Sequence, residues 1–420
     1  MTPRSPLHIA DYRRFWLARF TSVMATTGIV VILGYQLYDV ARQDYHMSIA
    51  KASFQLGLLG FAQFVPMFLL TPLAGLVADR FDRRHVGLAS LLIDLGVSSV
   101  LLAATHGHWL SLPLLFSLAV AHGSARVFVG PAIGSIAPKI VPPALLPRAI
   151  AMNSTAMQSG SILGPAAAGL LFAARAEVPY AAAVVLLVVA SLALITIRPL
   201  PAPPANRDVH PLRLIAEGFH YVLTNRFLLG CMTLDLFAVL FAGATALLPV
   251  YARDILHVGA AGLGQMRAAP AVGAVVFAVL LSWRPIRHNV GVKMLWGVAV
   301  FGLATVGFGL SRSYPLSLAL LAVLGAADMI SMFVRQSLVQ LNTPDDKRGR
   351  VAAISSLAIS ASNELGEMES GLAAALLGAT GAVVFGGAAA VLITGLWAVL
   401  FPELRRARSF TPHESEPHDA

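Results

Sequence analysis

Residues 52–104 read ASFQLGLLGFAQFVPMFLLTPLAGLVADRFDRRHVGLASLLIDLGVSSVLLAA. Two apolar runs, 52–78 and 85–104, flank a short polar turn that holds Asp79, Arg80, Asp82, Arg83 and Arg84. A helix needs about 20 apolar residues to cross the hydrocarbon core of a bilayer, so each run is long enough to span one. The turn between them marks a return to water. The alternation continues in both directions: apolar stretches at 15–40, 52–78, 85–104, 110–138, 148–173 and 178–197 make one set of six. A second six follows at 227–251, 260–282, 291–311, 315–341, 350–376 and 379–401. The predicted fold is all-α and integral to the membrane, with twelve transmembrane helices.

Composition agrees. Of 420 residues, 57% are hydrophobic and 12% charged, about half the charged share of a soluble domain, which excludes an ordinary cytosolic enzyme. Twelve spans demand about 240 apolar residues, which this composition just supplies. A single cysteine, Cys231, rules out an internal disulfide. The first apolar stretch is too long for a cleavable signal peptide and contains Arg19. There is no G-x-x-x-x-G-K-[ST] phosphate loop, no H-E-x-x-H and no G-x-S-x-G elbow, and His106-Gly107-His108 is too small a signature for a metal centre. No enzymatic activity, cofactor or metal is expected.

The chain carries 30 Lys and Arg against 21 Asp and Glu, a net charge of +9. If the amino terminus is cytoplasmic, 21 of the basic residues fall on inward segments, five on outward loops and four, Arg19, Arg126, Arg267 and Arg335, inside spans. That is the asymmetry of the positive-inside rule, so both termini are expected in the cytoplasm and the basic excess needs no nucleic acid. Residues 198–226, opening with Pro199-Leu200-Pro201-Ala202-Pro203-Pro204, are expected to form a linker with a short amphipathic surface helix around Ile215–Leu223. It joins a six-helix half at 1–197 to another at 227–401, and 402–420 is expected to be a disordered cytoplasmic tail. The halves look duplicated: Val127-Phe128-Val129 aligns with Met332-Phe333-Val334, and Arg148–Gly169 with Arg350–Gly371. Chance matching of apolar helices is the alternative. A duplicated unit would place a substrate site at the interface of the halves near the membrane midplane.

Four groups of residues are candidates for function. The first is the turn Gly75-Leu76-Val77-Ala78-Asp79-Arg80-Phe81-Asp82-Arg83-Arg84, where an acid among arginines at a helix end can form an ion-pair latch, or simply be a positive-inside loop. It resembles the signature loop of the major facilitator superfamily, with Asp82 standing where the general pattern has glycine. The matching place in the second half, Trp283-Arg284-Pro285-Ile286-Arg287-His288, has lost its acids. The second is Arg126, mid-span and followed by Gly130, similar to the arginine motif on helix four of proton-coupled members; pairing with Asp94 is the structural alternative, and His122 lies one turn before it. The third, Gly160-Ser161-Ile162-Leu163-Gly164-Pro165-Ala166-Ala167-Ala168-Gly169, resembles the glycine-proline motif of superfamily antiporters, with Ala168 in place of one glycine; tight packing without bearing on direction is the alternative. The fourth comprises Asp328 and Arg335 in the tenth span and Asn363, Glu364, Glu367 and Glu369 in the eleventh, charges that mark a pathway, a proton relay or mutual pairs. The turn Asn342–Val351, the run Ser362–Glu367 and the opening Asp11–Phe20 resemble the branch that holds enterobactin exporters and macrolide efflux proteins.

The resemblance implies a monomeric secondary transporter of the bacterial inner membrane that works by alternating access. The expected function is proton-coupled efflux of an amphipathic small molecule such as a drug, macrolide or siderophore. At least one of Asp328, Glu364 and Glu367 is expected to carry the proton, with Arg126 or Arg335 as its electrostatic switch, because burial raises a carboxyl pKa and a nearby arginine lowers it. A static salt-bridge network is the alternative. Gly75, Asp79, Arg80, Asp82, Arg83 and Arg84 would form a cytoplasmic gate, and Phe64, Met67, Phe237 and Met332 are candidates for lining the cavity. A nutrient importer and a membrane sensor without transport remain as rival functions.

Overall fold

The computed structural model describes residues 5–134, 136–200, 211–284, 286, 288–344 and 347–410. The prolines of the linker from Pro201, Arg287, Asp345, Asp346 and the tail from residue 411 lie outside the described residues. Twelve main helices follow one another: α1 (Ala10–Gln43), α2 (Ile49–Arg80), α3 (Arg83–His106), α4 (Leu112–Gly134), α5 (Leu146–Ala174), α6 (Val178–Ile195), α7 (Pro211–Thr224), α8 (Arg226–Phe241), α9 (Gly259–Trp283), α10 (Val290–Leu310), α11 (Tyr314–Leu341) and α12 (Arg348–Leu400). There are no strands among the described residues. In a bilayer only helices and closed barrels satisfy every backbone polar group, and long apolar runs take the first solution.

Eleven helical runs among the described residues are long and apolar enough to cross a membrane: those named except the short α7, with α8 counted together with the turns that continue it as Arg226–Ile255. The last accounts for two predicted spans. Within α12, Gly378 adopts φ 75° and ψ 162°, a conformation that only glycine reaches cheaply, and it falls between the predicted spans 350–376 and 379–401. The helical segments on either side of Gly378 restore the twelve-span count.

The chain forms two compact units. One comprises Met1–Asp208 with Leu248–Ala268, the other Val209–Leu247 with Ala269–Ala420. In the first, α1 packs along α5 and α6, α2 along α4, and α3 along α4 and α6. Polar pins fix the register: Tyr12 Oη donates to the Ala149 carbonyl at 2.6 Å and Trp16 Nε1 to that of Met152 at 3.0 Å. Farther along α1, Gln36 donates to Thr105 of α3 at 3.2 Å and accepts from the Tyr180 hydroxyl of α6, all three buried.

In the second unit α8 packs on α12 and α10 on α11 and α12. Their shared core holds Cys231, Met294, Val334, Leu338 and Leu404. Leu404 belongs to a short helix, Pro402–Arg406, and the Asn289 and Gly291 amides donate to the carbonyls of Arg408 and Ala407 at 2.7 and 3.0 Å. The chain therefore stays folded through Phe410, which meets the Phe333 ring, past the 402 boundary expected for a disordered tail. Polar composition hid this: Leu404 and Ala407 supply buried anchors among arginines. Helix α7 lies on the same unit, its Gly218 against Ile354 and Arg350 of α12 while Phe219 and Leu223 are exposed.

Candidate functional site

The membrane-spanning charges of the second unit gather around one guanidinium. Arg335 Nη2 lies 3.0 Å from Asp235 Oδ1, with side-chain exposures of only 5% and 8%. Asp235 comes from α8, an acid in the seventh span that the sequence reading passed over. Asp328 stands two turns before Arg335 on α11, and the charges of both Asp235 and Arg335 act on it. Arg335 Nε is buried without a hydrogen-bond acceptor. Two carboxyls thus lie within the field of one arginine, which cannot give up its proton.

Helix α12 brings its acids to the same unit. Glu364 is buried, and Glu367 and Glu369 are half-buried. Between them Gly366 seats the helix on α8: a Cβ there would come within 2.9 Å of the Val239 carbonyl. Ser370 on the next turn contacts the place a Cβ at Gly243 would occupy. The glutamates therefore project from a helix locked against the one that carries Asp235. Phe237, a candidate for a cavity wall, packs instead with its ring 5.4 Å from that of Trp397, and Phe64 in the other unit stacks on Phe68 at 5.6 Å.

In the first unit Asp94 is matched with His122, with Oδ1 and Nδ1 2.8 Å apart and both residues 1% exposed. The sequence reading offered Arg126 as the partner of Asp94. Arg126 lies one turn on and on an exposed face. Asp94 Oδ2 and His122 Nε2 have no further protein partner. Arg19 is buried in α1, and its Nη2 meets Met157 Sδ at 3.2 Å.

The polar turn after α2 is built around Arg84. Asp82 caps α3 by accepting from the Arg84 amide at 2.9 Å, the ordinary task of an N-terminal aspartate. Its carboxylate also takes Arg84 Nη2 at 2.7 Å, while Arg84 Nη1 donates to the Ile197 carbonyl at 2.6 Å. The aspartate that departs from the general pattern thus ties α3 to the chain just beyond α6. Burial raises the Asp82 pKa, but the hydrogen bonds from Arg84 and the charges of Arg84 and His85 outweigh it and hold the carboxyl below its ordinary range. Arg80 is exposed and Arg83 half-buried; the side chains of Gly75 and Asp79 lie outside those described. Nearby, Asp11 pairs with Arg14 at 3.1 Å and Arg198 at 3.4 Å.

The glycine-proline run of α5 serves two faces. Gly160 and Gly164 let α1 close in: a Cβ at Gly160 would meet the Met24 amide at 3.1 Å, and one at Gly164 would collide with Thr27 and the Met24 carbonyl. Gly169 faces the opening turns of α9, where a Cβ would lie 2.6 Å from the Ala260 carbonyl and 2.7 Å from Gly264 Cα. Pro165 is inside the helix, and its carbonyl lies 2.8 Å from where Gly264 would carry a Cβ. Small residues here admit backbone-to-backbone contact on both sides.

At the far end of α1 stands a network that no motif announces. Tyr38 donates to Asp254 Oδ2 at 2.6 Å, Arg42 Nη2 lies 3.6 Å from Asp254 Oδ1, and Arg253 forms an ion pair with Asp39. Arg253 and Asp254 sit in a π-helical turn, Tyr251–Ile255, a rare geometry that redirects side chains. The signal available in sequence was an Asp-x-x-Arg and an Arg-Asp pair at span ends, which by themselves read as solvated charges.

The description Major Facilitator Superfamily belongs to a family model that matches residues 15–367. Proteins named enterobactin exporter EntS from Citrobacter koseri and Escherichia coli are each 27% identical over 412 residues, covering 96% of this chain and 94% of theirs. Among solved structures, the POT family transporter PepTSo superposes with a TM-score of 0.73 at 15% identity, covering 96% of this chain and 99% of its own. An inward-facing bacterial homologue of the human lysosomal transporter Spinster gives 0.69 at 15% identity, covering 97% and 98%. These similarities in structure bear on the fold alone.

Proposed function

The chain belongs to the major facilitator superfamily, and from that premise we propose that it is a proton-coupled exporter of an amphipathic small molecule. The observation that carries the proposal is the buried Asp235–Arg335 pair with Asp328 two turns away. Intramembrane charges of this kind are expensive and are kept where protons or substrates pass. With Arg335 on Asp235, Asp328 is the acid that takes a proton; when Arg335 turns toward Asp328, Asp235 becomes the acceptor. A rocking of the two six-helix halves, 1–197 and 227–401, that alters the arginine's position would then exchange a proton for cargo without new chemistry. Glu364 and Glu367, on the helix that packs against α8, are further proton carriers in this scheme, and Arg126 a second electrostatic switch.

Export is favoured by the glycine-proline run of α5 and by relatives that bear the name enterobactin exporter. A siderophore of that kind is therefore among the first cargoes to test, beside macrolides and other amphipathic drugs. The positive-inside distribution supports cytoplasmic termini, with the Asp79–Arg84 turn as the cytoplasmic gate.

Inside-out vesicles with an imposed proton gradient provide the test. Wild-type protein is expected to accumulate at least one cargo of the panel against its gradient, and Asp328→Asn to remain folded and bind that cargo while failing to concentrate it. Glu364→Gln and Glu367→Gln report whether they share the task. Proton-dependent accumulation that survives in all three variants would refute the coupling site. Uptake in the opposite sense would refute export.

A further inference from the structure

A cavity of about 350 Å³ lies between α7 and the start of α12, lined by Glu217, Gly218, His220, Tyr221, Thr224, Lys347 and Arg350. Two cations converge on it. Lys347 Nζ sits 4.3 Å from the centre of the Tyr221 ring, a contact with the ring face that holds the ammonium in place. Arg350 Nη1 is 3.0 Å from Glu217 Oε2, which occupies one of the five N–H donors of the guanidinium. The depth of the cavity follows from its neighbours. Stretches long and apolar enough to cross a membrane begin at Arg226 and at Arg350, so residues 217–224 and 347–350 stand at the ends of two such stretches. That is the level of lipid headgroups. On α7, Phe219 and Leu223 lie one turn apart with exposures of 43% and 61%. An amphipathic helix with such residues settles into the interface with its apolar side toward the acyl chains.

We propose that this cavity binds the phosphate of an anionic phospholipid, with Lys347 and Arg350 as its cationic contacts, while Phe219 and Leu223 on the other side of α7 seat that helix in the interface. The pocket offers what such a headgroup requires: two cationic donors beside the end of a span. Clustered lysine and arginine next to a span draw anionic lipids in this way. A bound lipid would join α7 to α12 through a second bridge alongside the Glu217–Arg350 pair. The lipid is favoured over a soluble phosphate because the cations stand beside the ends of two stretches long and apolar enough to cross a membrane, where a lipid headgroup is held and a free ion is not.

The test uses full-length protein in detergent, stripped of native lipid, and follows its melting midpoint against dioctanoyl phosphatidylglycerol, dioctanoyl phosphatidylcholine and inorganic phosphate. Phosphatidylglycerol alone is expected to raise the midpoint. Lys347→Gln and Arg350→Gln are each expected to weaken its apparent affinity about fivefold, and Lys347→Arg and Arg350→Lys to restore it. Glu217→Gln, which releases Arg350, is expected to tighten it. An equal effect of inorganic phosphate would overturn the lipid assignment, as would an equal effect of phosphatidylcholine or unchanged affinity in both glutamine variants. A photoreactive phosphatidylglycerol applied to the unmutated protein gives a measurement that no folding defect can confound: labelling within 217–224 and 347–354 supports the site, and labelling only elsewhere overturns it.

Discussion

Removing both acids that serve Arg335 should cost far more than the two single removals together. The pair Asp235–Arg335 is separated by 3.0 Å at side-chain exposures of 8% and 5%. At an effective dielectric constant of about 20, charges at that distance attract by roughly 5 kcal/mol. Desolvation costs several kcal/mol per ion, so the intact pair contributes little net stability. Its weight appears when the arginine is left bare, at about 3–5 kcal/mol. Asp235→Asn alone is expected not to do this, because Asp328, two turns away on α11, already interacts with the Arg335 charge, and a loss of about 1 kcal/mol is expected, within the usual range of couplings between neighbouring charges. Asp328→Asn leaves the observed pair intact and should cost less. The double variant Asp235→Asn/Asp328→Asn removes both receivers from a cation that cannot lose its proton, and adding Arg335→Met to it should recover most of the loss. The assay is the midpoint of heat-induced loss of the monodisperse peak in fluorescence-detected size-exclusion chromatography, compared within the series because a protein of this kind need not unfold in two states. Small and additive losses, with no recovery from Arg335→Met, would refute the shared guanidinium.

Three further expectations follow from other places in the fold. The lowered Asp82 pKa means that its contribution to stability is present above the unfolded value of about 4 and disappears as pH falls through the lower folded value. The melting gap between wild type and Asp82→Asn should therefore be constant at neutral pH and narrow below about pH 4; a gap unchanged down to pH 3 would contradict it. Gly169→Val should force α5 from the opening turns of α9, at about 1–3 kcal/mol, whereas Gly130→Val, whose Cβ meets nothing within 4 Å, should be tolerated; equal midpoints for the two would show that the close contact carries no weight. Reporter fusions in the 104–110 loop and after Phe410 should place the loop outside and the carboxyl end inside, and an outward carboxyl end would overturn the proposed topology.

The spans were legible because a bilayer imposes a length that composition alone can meet, and even the break at Gly378 falls where two apolar runs divide. The glycines of α5 were legible as small residues, though not which neighbour each admits: Gly164 serves α1 and Gly169 serves α9. Charge partners were not legible. Asp235 and Arg335 are a hundred positions apart, and nothing in a lone acid on one helix specifies which face of another it will meet. Asp94 was visible, but its choice of His122 over Arg126 depends on how α3 and α4 are rotated against each other, which apolar periodicity fixes poorly when most positions are apolar. The folded stretch 402–410 was missed because one leucine and one alanine decide it.

The boundary between the compact units falls between Ala268 and Ala269, inside α9. On one side of it Gly264 seats the helix on α5; on the other, Gly273 and Pro270 pack against Ala322 and Gly325 of α11. The polypeptide consequently crosses between units three times, after residues 208, 247 and 268, and the proline-rich linker is only the first of these crossings. A chain severed at the linker would still have two covalent crossings between the units. Pro270 stands two residues beyond the third crossing and lacks the N–H that would complete that rung of the helix. The third crossing is thus made inside a continuous helix with one backbone hydrogen bond missing beside it, so a substitution at Pro270 bears on the straightness of that helix and not on any loop.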